Sequence, residues 1–116
     1  MQKLLDELNR GVGVEGCLVV SKEGIVVAAN LREGVPQDRL GGVAADLLQF
    51  SRESLSAIPV GSLRRLVVSA EGGRIILADA GIGTLVVFTR PEANLGLTLI
   101  EVGNTVKRLR VAGALE

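Results

Sequence analysis

Hydrophobic and polar positions along this chain follow two periods, and the places where one gives way to the other divide it into elements. Leu4, Leu5 and Leu8 fall on one side of a short helix predicted over residues 3–10, which Gly11, Gly13 and Gly16 bring to an end. Two strands are expected next, over residues 17–20 and 25–29, with the polar, Gly-closed spacer Ser21-Lys22-Glu23-Gly24 forming a hairpin. After Pro36 the period becomes helical. Leu40, Ala44, Leu47, Ser51 and Leu55 share a stripe that runs to about residue 57, before Pro59. Three further strands are predicted over residues 63–70, 74–78 and 84–89, joined by Glu71-Gly72-Gly73 and by Asp79-Ala-Gly-Ile-Gly83. Both connections have turn chemistry, which makes this an antiparallel meander. A last helix opens at Asn94, a good N-cap, and carries Leu95, Leu99, Val102, Val106 and Leu109 on one face.

The predicted order is α-β-β-α-β-β-β-α. Residues 17–20 and 85–88 are apolar at consecutive positions, so those strands must be covered on both faces. Isolated hairpins are not stable alone, and the economical solution is one five-stranded antiparallel sheet with helices on both faces. The fold class is α/β, and residues 1–116 read as a single domain.

Composition changes this picture in one direction. The chain is 47% hydrophobic, with a mean hydropathy of +0.41, which is high for a lone domain of 116 residues. The apolar runs are far shorter than the roughly 18 residues of a membrane span, and the amphipathic, acidic start does not resemble an export signal. No direct membrane insertion is therefore expected, and the surplus apolar surface points to burial between subunits or under a partner. The 13 basic and 13 acidic residues cancel, and the chain has no Trp or Tyr for base stacking, so nucleic acid is not an expected ligand. The cytoplasm is the expected compartment, since a lone Cys17 forms no internal disulfide.

Candidate chemistry is sparse. The absence of His removes Ser-His-Asp triads, Cys-His pairs and His-metal sites, and the carboxylates fall on turns and polar helix faces. Gly11-Val-Gly-Val-Glu-Gly16 spells G-x-G-x-x-G, but with a helix before it and a strand after it, the reverse of a dinucleotide site. It is read as the turn that folds the first helix back onto the sheet. No enzyme activity, cofactor or metal is expected.

The element order and the local wording resemble the roadblock, or dynein light chain 7, domain family over essentially the whole chain. The likeness rests on Val14-Glu-Gly-Cys-Leu-Val-Val-Ser-Lys-Glu-Gly-Ile-Val-Val-Ala-Ala29, on Gly73-Arg-Ile-Ile-Leu-Ala78 and, most specifically, on Pro91-Glu-Ala-Asn-Leu-Gly-Leu97. The resemblance implies a profilin-like sheet of strand order 2-1-5-4-3, with the middle helix on one face and the terminal helices on the other. It also implies a homodimer joined through the third strands, with the two middle helices side by side. Family members of bacteria and archaea commonly pair with small Ras-like GTPases, and one gliding-motility member activates its GTPase. Eukaryotic members serve as motor light chains or as tethering subunits.

The residues agree with an interface. Leu66, Val67 and Val68 lie in a strand that this topology leaves at the sheet edge, where unpaired backbone groups invite a second chain. Arg64 and Arg65 are placed to guard against wrong pairings. The apolar arc of the middle helix is too wide for one packing surface, running from Phe50 and Val43 across Leu40 and Leu47 to Leu55 and Leu48. Val43, Leu48, Phe50 and Leu55 are thus candidate dimer contacts, with either flank open to the twin helix. Gly41-Gly42 suggests a close backbone approach. On the opposite arc Asp46, Gln49, Arg52 and Glu53, with Arg39 nearby, form a candidate platform for a Ras-like GTPase. The two functions open at this point are regulation of a GTPase nucleotide cycle and structural tethering without effect on turnover.

Overall fold

The computed structural model describes the backbone of residues 1–115 and the side chains of residues 1–113. Its elements are α1 (Gln2–Asn9), β1 (Val14–Val20), β2 (Val26–Asn30), α2 (Gln37–Leu55), β3 (Arg65–Ala70), β4 (Gly73–Asp79), β5 (Thr84–Thr89) and α3 (Leu95–Leu115). All strand pairs are antiparallel, in the order β2-β1-β5-β4-β3. The expected architecture holds.

Each central strand is buried on both faces, which explains its unbroken apolar run. Toward one face, Leu18, Val20, Leu77 and Val86 pack with Ala44 and Leu48 of α2. Toward the other, Cys17, Val19, Ile76, Leu85 and Val87 pack with Leu5 and Leu8 of α1 and with Val102 and Leu109 of α3. Alternation along a strand assigns successive side chains to the two layers. Complete burial of a residue such as Leu109 stabilises by about 1.5–3 kcal/mol relative to exposure.

The terminal helices are held by specific contacts as well as by packing. Asn94 Oδ1 accepts from the Leu97 N–H at 3.0 Å, the N-cap expected of α3. Arg74 donates to the Ala93 carbonyl at 2.8 Å and so anchors the β5–α3 connection to β4. Arg108 of α3 donates to Glu7 of α1 at 2.7 Å, and this guanidinium holds the Glu7 carboxyl below its usual pKa. On the other side of α1, Asp6 Oδ1 accepts from Gln2 at 3.1 Å and from Asn30 of β2 at 2.9 Å.

The G-x-G-x-x-G segment is only partly the turn expected of it. Gly13 has φ +85 and touches Ala93, so the turn requires glycine twice over, by conformation and by space. Gly16, however, lies within β1, which begins at Val14 and has an irregular register between Val14 and Gly16. A Cβ there would lie 2.9 Å from Leu31. The close approach at the start of α2 is also resolved. A Cβ on Gly41 would stand 2.9 Å from the Gly24 carbonyl, so Gly41 admits the protein's own β1–β2 turn, whereas Gly42 faces open space.

Candidate functional site

The sheet ends on two unlike edges. At one, β2 carries a bulge opposite Val19 and Val20, which blunts further pairing. At the other, β3 is regularly paired with β4 from Arg65 to Ala70, and its outer side is unpaired. Leu66 and Val68 are half-buried there, while Val67 is exposed at the border of the opposite face. Leu66 packs against the α2-side core, so its contribution is divided between the fold and any contact at the edge.

The wide apolar arc of α2 splits in two. Ala44 and Leu48 form its buried line, with Leu55 half-buried. Leu48, expected as a dimer contact, is 4% exposed and sealed against Leu18, Leu77 and Val86. That expectation is corrected: Leu48 belongs to the core of its own chain, because the phase of α2 on the sheet turns this part of the arc inward. Val43 and Phe50, one flank over, are 47% and 71% exposed. A phenyl ring presented so fully to water is costly, and it lies on the same apolar flank as half-buried Leu47. Of the apolar arc, the flank that carries Val43 and Phe50 is the part left uncovered by the chain's own sheet.

The polar residues of α2 lie on the other flank and on its outer surface. Asp46, Gln49 and Arg52 line a cleft of about 450 Å³ with Lys22 and Glu23 of the β1–β2 turn and Asp79 at the end of β4. Glu53 extends this surface by accepting a hydrogen bond from Gln49 at 2.8 Å. Arg39 is exposed near the start of α2 and is not among the residues lining the cleft. The candidate platform is thus brought together at Asp46, Gln49, Arg52 and Glu53, with Arg39 apart from it. Lys22, Glu23 and Asp79 were not anticipated there. Their signal lay in the topology: antiparallel β1 and β5 place the β1–β2 and β4–β5 turns at the same end of the sheet.

The cleft is open, charged and small. Among the described residues no group of three or more His, Cys, Asp or Glu is arranged to hold a metal ion, and no helix is long and apolar enough to cross a membrane. Cys17 is fully buried, and its Sγ donates to the Leu5 carbonyl at 3.3 Å. Such an environment is that of an inert structural thiol. What these surfaces offer is binding: an open strand edge, an exposed apolar flank on α2, and a mixed-charge cleft.

Comparison with known proteins defines the class to which this combination of fold and surfaces belongs. A family model described as Roadblock/LC7 domain matches residues 1–89. The chain belongs to the Roadblock/LC7 family, a family of binding and regulatory domains. An uncharacterized protein of Methanocaldococcus jannaschii is 33% identical over 110 residues, covering 95% of this chain and 93% of the relative. MglB of Myxococcus xanthus shares the fold at a TM-score of 0.93 and 14% identity, with 99% of this chain and 95% of that one covered. Profilin of Schizosaccharomyces pombe does so at 0.70 and 18%, over 97% and 98% of the two chains. The fold is profilin-like.

Proposed function

We propose that this chain is a homodimeric, non-catalytic module that regulates the nucleotide cycle of a small Ras-like GTPase. The observation that carries this reading is the open β3 edge with the exposed Val43–Phe50 flank on α2 and the Asp46–Gln49–Arg52 cleft. Pairing two β3 edges about a twofold axis satisfies both rows of backbone groups and closes the assembly. With the two α2 helices side by side, Val43 and Phe50 are covered, and the polar surfaces of both copies face outward together.

Such a surface suits a folded protein partner. Mixed charges at Asp46, Arg52 and Glu53, with the Gln49 amide among them, set orientation and association rate more than affinity. That the partner is a Ras-like GTPase is supported by family membership and by the likeness in fold to MglB, a gliding protein. Tethering without effect on turnover is the second reading, since the same surfaces serve it equally.

The test is to measure GTP hydrolysis and nucleotide exchange by a Ras-like GTPase from the same genome, with and without this protein. A change in either rate is expected, and it should be lost with Gln49→Arg/Glu53→Arg while the oligomeric state is kept. Binding with both rates unchanged would select the tethering role. Absence of binding to any such GTPase would overturn both.

A further inference from the structure

A second cleft, of about 590 Å³, lies on the α3 side of the sheet between β3 and α3, over Ala78, Val102 and Val106. Its walls carry Arg64, Arg65, Lys107 and Arg110, a strong local excess of positive charge in a chain with no net charge. The carboxylate that lines it, Asp79, is already engaged: Arg110 approaches it at 3.7 Å and donates to its carbonyl at 3.0 Å. Among the described residues Arg64, Arg65 and Lys107 form no ion pair. Just past the far end of β3, in the β3–β4 turn, Glu71 is exposed and likewise forms none.

The backbone restricts how a second β3 can pair with this one. The Asp79 N–H donates to the Arg64 carbonyl at 3.0 Å, so Arg64 faces β4. Neighbouring residues of a strand face opposite sides, so Leu66, Val68 and Ala70 also face β4, while Arg65, Val67 and Ser69 direct their amides and carbonyls outward. A symmetric antiparallel ladder must set outward residues against outward residues. Two registers that keep most of the strand paired have the twofold axis at Val67 or at Val68. With the axis at Val67, Arg65 opposes Ser69 and Glu71 opposes Leu63. With the axis at Val68, Val67 opposes Ser69, Leu66 opposes Ala70, and Arg65 opposes Glu71, twice by symmetry.

We propose that the homodimer forms in the second register, so that Glu71 of the partner subunit meets Arg65 at the rim of each copy's basic cleft. This rests on the homodimer reading and adds to it the element that selects one alignment of two edges whose apolar residues alone are ambiguous. Opposite charges directly across a ladder favour a register, and like charges disfavour it. Within one copy, among the described residues, Arg64, Arg65 and Lys107 have no carboxylate partner at this cleft, and an unpaired carboxylate, Glu71, lies just past the other end of β3. The occupant that supplies the missing charge is therefore a second copy of the chain.

Charge reversal and cross-linking test the register with residues that leave the core untouched. By sedimentation equilibrium at low salt, Arg65→Glu and Glu71→Arg should each raise the dimer Kd on the order of tenfold, since two attractive pairs become repulsive. The double variant Arg65→Glu/Glu71→Arg should return it to within about threefold of the parent, the pairs being restored with reversed polarity. On mild oxidation Val68→Cys should cross-link to itself across the axis, where side chains of a non-hydrogen-bonded pair approach closely, and Val67→Cys should not. Unchanged Kd values for the single variants, or cross-linking through Val67→Cys in place of Val68→Cys, would overturn the register while a dimer persists. A monomeric parent protein would remove the homodimer itself, and the register with it.

Discussion

At the scale of single residues the clearest physical statement concerns Cys17. Burial, and secondarily the charge of Asp6, push its thiol up to about 12 from an ordinary 9.0. The folded state therefore prefers the protonated thiol. This contribution to stability is complete below pH 9, where the unfolded chain also keeps its proton, and it is lost as pH climbs from 9 through about 12. The denaturant midpoint of the parent should fall more steeply across that window than that of Cys17→Ala. Parallel profiles for the two would show that the thiol carries no linkage. Iodoacetamide should label the native protein slowly at pH 8 and rapidly once it is unfolded. Residue-scale features of this kind were legible where they are local. Asn94 was readable as a cap because the motif needs only the amide of Leu97. The space taken by Gly41 against the Gly24 carbonyl was not, because the two residues are brought together by the docking of α2.

Among the elements, α2 and β3 carry the interface argument, and here the residues chosen for mutation matter. Leu66 and Leu48 pack in the core, so polar substitutions there confound unfolding with dissociation. Phe50 and Val67 are exposed, and Phe50→Glu with Val67→Asp should convert a dimer to a folded monomer. Light scattering should report the halved mass and circular dichroism an unchanged helical signal. A clean dimer in this variant would exclude the β3–α2 interface. The sequence displayed the full apolar arc of α2, from Phe50 to Leu48, but held no information on its phase. A helical wheel shows which residues share a side. Only the sheet beneath α2 decides which part of that side is covered.

For the molecule as a whole, the proposed association is supported by the exposed side chains of Val43, Phe50 and Val67. If folding and pairing are coupled, the thermal midpoint should rise with protein concentration, because a dimer is stabilised by mass action. A midpoint independent of concentration over a hundredfold range would mean that the single chain is stable without its twin. In the proposed assembly the partner surface is separate from the pairing surface. Gln49 lines the mixed-charge cleft and Glu53 is hydrogen-bonded to Gln49, so their substitution should affect partner binding and leave the concentration dependence intact.

The order of elements, the burial of the central strands on both faces and the inward stripe of α3 followed from the sequence alone. They are set by period, turn chemistry and capping, which act between near neighbours and leave their mark on consecutive residues. Three things waited for the tertiary structure. They are the inward turn of Leu48 with the outward turn of Phe50, the gathering of Lys22, Glu23 and Asp79 beside Asp46, and the cleft between β3 and α3. Each depends on how elements distant in the chain are oriented against one another. That orientation is settled by packing the two layers onto one sheet, and no local pattern of residues encodes it.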